Sequence, residues 1–155
     1  MTAGAAQAVE LDRLDDELRS AARPAPELLC KVTERVGTRL SLLRQAGMAA
    51  RIDRLIEAGA WSDAVFALIE LELPAWRVRR LVHEDGEWLC SLSRQPNLPI
   101  AFDDPVEASH QVLALAALRA VIEVRRRSSS VPEGMSTVPQ VRPTSDQLIC
   151  CDNFA

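Results

Sequence analysis

The chain has 155 residues, 48% of them apolar, which is enough to bury a core in one domain and leave a tail; its formal net charge of −4 argues against broad, non-specific binding to nucleic acid. It has no run of about 18 uncharged apolar residues and no basic-then-apolar leader in its first residues, so neither a transmembrane helix nor a secretory signal is expected, and the setting is read as cytoplasmic. Cys30, Cys90, Cys150 and Cys151 follow no metal-binding spacing and are expected as reduced thiols, while one Lys against seventeen Arg reads as the coding bias of a GC-rich, bacterial genome.

Residues 1–5 are small and expected to fray. From about Ala6 to Ala22, Leu11, Leu14, Leu18 and Ala21 recur at helical spacing. Pro24 and Pro26 then break the chain. Pro26 and Glu27 suit the first turn of a second helix, expected over 26–45. Its Leu29, Val32, Val36, Leu40 and Leu43 make a narrow apolar seam. The first helix carries a matching one, which predicts an antiparallel pair. A weak homodimer through the same helix pair is the rival reading.

Gly47 and Gly59 bracket a third helix over 48–58, with Met48, Ile52, Leu55 and Ile56 apolar and Gly59 suited to the C′ position. Ser62 suits the N-cap of a fourth helix over 62–73, with Val65, Phe66, Leu68, Ile69 and Leu73 inward, and Pro74 ends it. Gly59, Trp61, Ala64 and Leu68 make Leu55–Pro74 resemble the mid-part of a tetratricopeptide repeat, over about one helix-turn-helix. Ile52 stands where that family has a small residue, and no second repeat follows. The resemblance therefore implies an αα-hairpin and carries over no binding residue. A DNA-reading helix-turn-helix over Met48–Leu73 is disfavoured, since its second helix offers Asp63, Glu70 and Glu72 and no cation.

Trp76–Arg94 reads as a two-stranded β-hairpin about Asp85-Gly86, a type I′ turn pair. That register sets His83 opposite Trp88, Leu81 opposite Cys90 and Arg79 opposite Leu92. Leu81, His83, Trp88, Cys90 and Leu92 then share one face, and Trp76, Val78, Val82 and Leu89 the other. In the connector after Gln95-Pro96, Leu98, Ile100 and Phe102 are expected to anchor in the core. Asp104-Pro105-Val106-Glu107 reads as a capping-box start to a largely buried helix over 105–126. From Ser128 the chain turns rich in Ser and Pro, and 128–155 is expected as a disordered tail. Its Leu148-Ile149-Cys150-Cys151 is a short docking segment or, in preference, nothing.

The expected fold is therefore α+β and mostly α. A single globular domain over 6–127 holds a bundle of about five helices and one two-stranded antiparallel hairpin, ahead of the tail. For chemistry, His83 and Cys90 lie diagonally on one hairpin face, where a nucleophile and base are conceivable and packing is the preferred reading. His83, Cys90 and His110 lack zinc-like spacing, so no metal or cofactor is expected. Trp61, Trp76 and Trp88 are read as core. Arg77, Arg79 and Arg94 share a face by the register, with Arg80 opposite, and are the candidate partner-binding residues. Their ordinary alternative is edge-strand charge. The leading function is a non-catalytic accessory or regulatory protein working through an unidentified protein partner. The alternatives are a nucleic-acid module using the Arg-rich hairpin and a thiol-dependent enzyme centred on Cys90.

Overall fold

The computed structural model describes residues 3–37, 39, 40, 42, 47 and 49–130. The expected tail, with Leu43 and Met48, lies outside the described residues. Helix α1 spans Ala3–Ser20, beginning before the expected Ala6, and α2 spans Pro26–Val36. Ion pairs Glu10–Arg35 (3.1 Å) and Glu17–Lys31 join low numbers on α1 to high numbers on α2, so the two helices run antiparallel. Their seams are consumed inside the chain: Leu11, Leu14, Leu18, Leu29, Val32, Val36 and Leu40 are all buried.

The expected helix over 26–45 is interrupted at Gly37. Gly37 caps α2 through its N–H to the Thr33 carbonyl at 2.7 Å, and a Cβ on it would run into that carbonyl oxygen. Helical backbone resumes at Arg39. The buried Glu72 carboxylate accepts the N–H groups of Arg39 (3.3 Å) and Leu40 and is paired with Arg125 at 3.3 Å. It thus supplies a remote cap for the orphan donors of that turn.

Helix α3 (Ala50–Glu57) ends in a Schellman motif: Gly59 has φ +71°, its N–H meets the Ile56 carbonyl at 3.0 Å, and the Ala60 N–H meets Leu55 at 2.9 Å. Helix α4 (Trp61–Glu72) has its N-cap at Ala60, two residues before the expected Ser62, with no side-chain cap.

Strands β1 (Arg77–Glu84) and β2 (Glu87–Ser93) form the hairpin, with Asp85 at φ 53° and Gly86 at φ 83° as a type I′ turn demands. Near the turn the register is as expected, with His83 opposite Trp88 and Leu81 opposite Cys90. Further along it shifts: Val78, not Arg79, faces Leu92, leaving Arg79 as a bulge. One inserted residue reverses the face parity before it. Trp76, expected opposite Cys90 and Leu92, instead joins their core cluster, and Trp61 and Trp88 are partly buried against it.

The sheet has three strands, not two, in the order β1-β2-β3 and antiparallel throughout. Strand β3 (Val106–His110) occupies the start of the expected helix, and α5 begins only at Leu113 and runs to Ser130. Pro105 favours an extended residue before it, and Val106, Ala108 and His110 alternate with the more polar Glu107 and Ser109. Once β2 offers an edge, that period-two pattern wins over the local capping box. His110 then ends the strand, its Nδ1 accepting the Val112 N–H at 2.9 Å ahead of the helix.

Helix α5 is the hub, packing against α1, α2, α4, β2 and β3. Ala114, Ala116, Ala117 and Ala120 keep its surface low where neighbours press in, while the fully buried Leu115 and Leu118 fill the space between. Burial of such a leucine stabilises by about 1.5–3 kcal/mol. Among the described residues no helix is long and apolar enough to cross a membrane.

Candidate functional site

The loop from Gln95 to Pro105 joins β2 to β3 and contains three prolines, which restrict its backbone. A turn closes at its start, Leu98 N–H to the Gln95 carbonyl at 3.0 Å, and a 3-10 turn spans Ile100–Phe102. Beneath it sits the bulged Arg79. Its guanidinium donates to the carbonyls of Pro96 (3.3 Å) and Leu98 (2.7 Å) and to the Asp103 carboxylate. The Asp103 side chain is 4% exposed, and its second oxygen accepts the Ser93 hydroxyl at 2.8 Å. That hydroxyl oxygen in turn accepts the Gln95 N–H at 2.9 Å. Every polar group drawn under the loop therefore has a partner, the condition under which a buried ion pair is tolerated.

This clamp holds apolar side chains outward. Leu98, Ile100 and Phe102 are 38%, 65% and 77% exposed, the reverse of the expected anchoring role. Beside them lies a cavity of about 500 Å³ whose lining includes Trp76, Arg94, Phe102, Asp104, Arg127 and Ser128. Arg94 lies over the Trp76 ring, 5.1 Å from its centroid, and Arg127 bonds Asp104 at 2.9 Å. The arrangement combines a wide apolar fringe, a stacked cation and a pre-set backbone. Grouped exposed apolar residues of this kind mark interaction sites, whereas scattered single ones do not.

The chain matches no family model, no curated protein and no solved structure. The site is therefore read on its own geometry.

The three candidate arginines are all engaged within the chain. Arg79 is the clamp. Arg77 donates to the carbonyls of Pro74 (2.8 Å) and Trp76 (2.9 Å), and Arg94 stacks on Trp76. The bulge removes the row that a regular register would make of them, since Arg77 now faces Ser93. Sequence reasoning did not find Asp103 or the outward set Leu98, Ile100 and Phe102. The available signal was their every-second-residue spacing between Pro96 and Pro105, which puts three large apolar groups on one short, proline-bounded loop.

Cys90 is 0% exposed, and burial pushes its thiol up to about 11. His83 stacks on Trp88 with ring centroids 4.8 Å apart. Among the described residues, no three His, Cys, Asp or Glu side chains converge as metal ligands. A thiol reagent at pH about 8 should modify the exposed Cys30 quickly and Cys90 only on unfolding, because the reactive thiolate of Cys90 would be present at roughly one part in a thousand. Rapid labelling of Cys90 in the folded chain, followed by mass spectrometry, is the outcome that would restore it as a nucleophile.

A second cavity, about 520 Å³, has Arg19, Glu87, His110 and Arg119 in its lining. Both of its arginines pair with Asp15, which lies behind the lining. Arg119 bonds Asp15 at 2.8 and 3.2 Å and the Ser109 carbonyl, and Arg19 reaches the same carboxylate at 3.1 Å. This node ties α1 to α5 and β3.

Proposed function

We propose that this is a cytoplasmic, non-catalytic accessory or regulatory protein that binds another protein through the Gln95–Asp104 loop. One observation carries the reading: Leu98, Ile100 and Phe102 are held in solvent on a backbone already fixed by the Arg79–Asp103 pair. A surface ordered before binding loses little entropy on binding, so a small patch can still be effective. In this reading Arg79 sets the loop and Arg94, in the cavity lining, is the cation for a partner's carboxylates, while Arg77 is spent on the Pro74 and Trp76 carbonyls. The thiol-enzyme alternative has little support in a fully buried Cys90 with a raised pKa. The nucleic-acid alternative has the weaker support in a chain of formal net charge −4 whose Arg79 is already paired with Asp103 under the loop.

The test is comparative capture from the source cell, followed by mass spectrometry. A protein retained by the wild type should fall at least about tenfold with Ile100→Ser/Phe102→Ser, as for central apolar contacts of an interface. Val9→Ser, at a residue 69% exposed on α1, should retain it. Capture that survives the loss of both loop side chains would overturn the proposal.

A further inference from the structure

We infer that the surface formed by Leu98, Ile100, Phe102 and the Trp76–Arg94 stack is the docking site of the chain's own segment Asp146–Asp152, which competes there with the protein partner. The inference rests on the reading of that loop as a binding surface and supplies its regulation.

The first argument is where the tail starts. Helix α5 ends at Ser130, and Arg127 and Ser128, in its last turn, already line the cavity that Trp76 and Phe102 line. The end of the helix is therefore close to the rim of the site, and 25 residues, 131–155, follow it in the sequence. Leu148 lies 18 positions beyond Ser130. Eighteen residues can reach at most about 60 Å, so the segment is tethered within range of the surface.

The second argument is composition. Residues 131–155 contain one run of four adjacent apolar residues, Leu148-Ile149-Cys150-Cys151, with Asp146 and Asp152 on either side. The surface has the complementary pattern. Its apolar fringe adjoins Arg94, which lines the same cavity and stacks on Trp76. Arg94 has no carboxylate partner among the described residues. The two acids at the rim are already committed, Asp103 to Arg79 and Asp104 to Arg127. Arg94 is thus a cation open to an acid from elsewhere, beside an apolar surface open to an apolar run.

The third argument is tethering. A short linker confers an effective concentration on the order of millimolar, so a contact too weak to survive between separate molecules is substantially formed within one. A partner must then outcompete the segment.

The tail's own thiols provide the probe. In the full chain with Cys30→Ser, Asn97→Cys places a thiol on the exposed loop without touching the three apolar side chains. Under oxidised glutathione, an intrachain link from position 97 to Cys150 or Cys151 should form about tenfold faster than from a Val9→Cys control, reflecting the higher local concentration. Leu148→Ser/Ile149→Ser should abolish that advantage and strengthen partner capture. A rate equal to the Val9→Cys control, a rate unaffected by Leu148→Ser/Ile149→Ser, or links found only between chains would each overturn the inference, the last by making a second copy the occupant. If the link fails while partner capture still depends on Phe102, the competition is wrong and the binding site stands. If the link forms while capture ignores Phe102, the reverse holds.

Discussion

Asp15→Ala should destabilise the protein by about 3–5 kcal/mol, the usual cost of leaving one member of a buried ion pair without its counter-charge. The Asp15 and Arg119 side chains are 10% and 13% exposed and joined by two hydrogen bonds of 2.8 and 3.2 Å. Removing the carboxylate leaves the Arg119 guanidinium held by the Ser109 carbonyl alone. Denaturant midpoints measure the loss. Asp15→Leu/Arg119→Leu should be much less harmful than Asp15→Ala, because removing both charges removes the desolvation penalty along with the attraction. Equal losses in the two variants would mean that packing, not charge, is what Asp15 supplies.

The same pair sets an acid dependence. Burial by itself would raise the Asp15 carboxyl, but the hydrogen bond and charge of Arg119, aided by Arg19 and Arg126, outweigh it and hold the group below its ordinary value. A depressed folded-state pKa stabilises above the unfolded value, about 4, and that stabilisation is lost as pH falls through the folded value. The wild type should therefore weaken more steeply than Asp15→Asn as pH falls below about 4.

Arg79→Met should free the loop. Asp103 would be left as a buried carboxylate whose remaining side-chain partner is Ser93. Because the loop can open and let water reach it, the global loss should be modest, about 1–3 kcal/mol, with the larger effect local. Amides from Leu98 to Asp103 should exchange much faster with solvent, and partner capture should fall although Ile100 and Phe102 are untouched. Arg79→Lys should not restore either property, since an ammonium cannot reproduce a planar fork that serves two carbonyls and a carboxylate. Unchanged exchange in Arg79→Met would remove the clamp from the account of this site.

Features decided by neighbouring residues were legible in the sequence. Asp85-Gly86 fixes its own turn, and the register beside it follows. Gly59 ends α3 by its own positive φ, and the leucines of α1 and α2 declare their buried faces by spacing. Features decided at long range were not. The break at Gly37 depends on Glu72, 32 positions from Leu40, lending a carboxylate to the next turn. Val106–His110 satisfies helix-start rules and strand alternation alike, and pairing with β2 chooses between them. The bulge at Arg79 exists together with Asp103 and the carbonyls of Pro96 and Leu98, none of them visible from the strand. The loop was misread for another reason. Apolar residues tend to be buried, yet much of any folded surface is apolar, so Leu98, Ile100 and Phe102 carried no local sign of their direction.

The hub position of α5 has a consequence for biogenesis. Asp15 and Arg119 are 104 positions apart, and the helix that covers α1 is the last described element to be made. At translation rates of about 5–20 residues per second, the leucine face of α1 waits roughly 5–20 s for the surface it packs against. During that interval Leu11, Leu14 and Leu18 can rest only on the seam of α2. Nascent chains are thus exposed to early capture and aggregation in proportion to that delay, and slow codons between β3 and α5 would lengthen it.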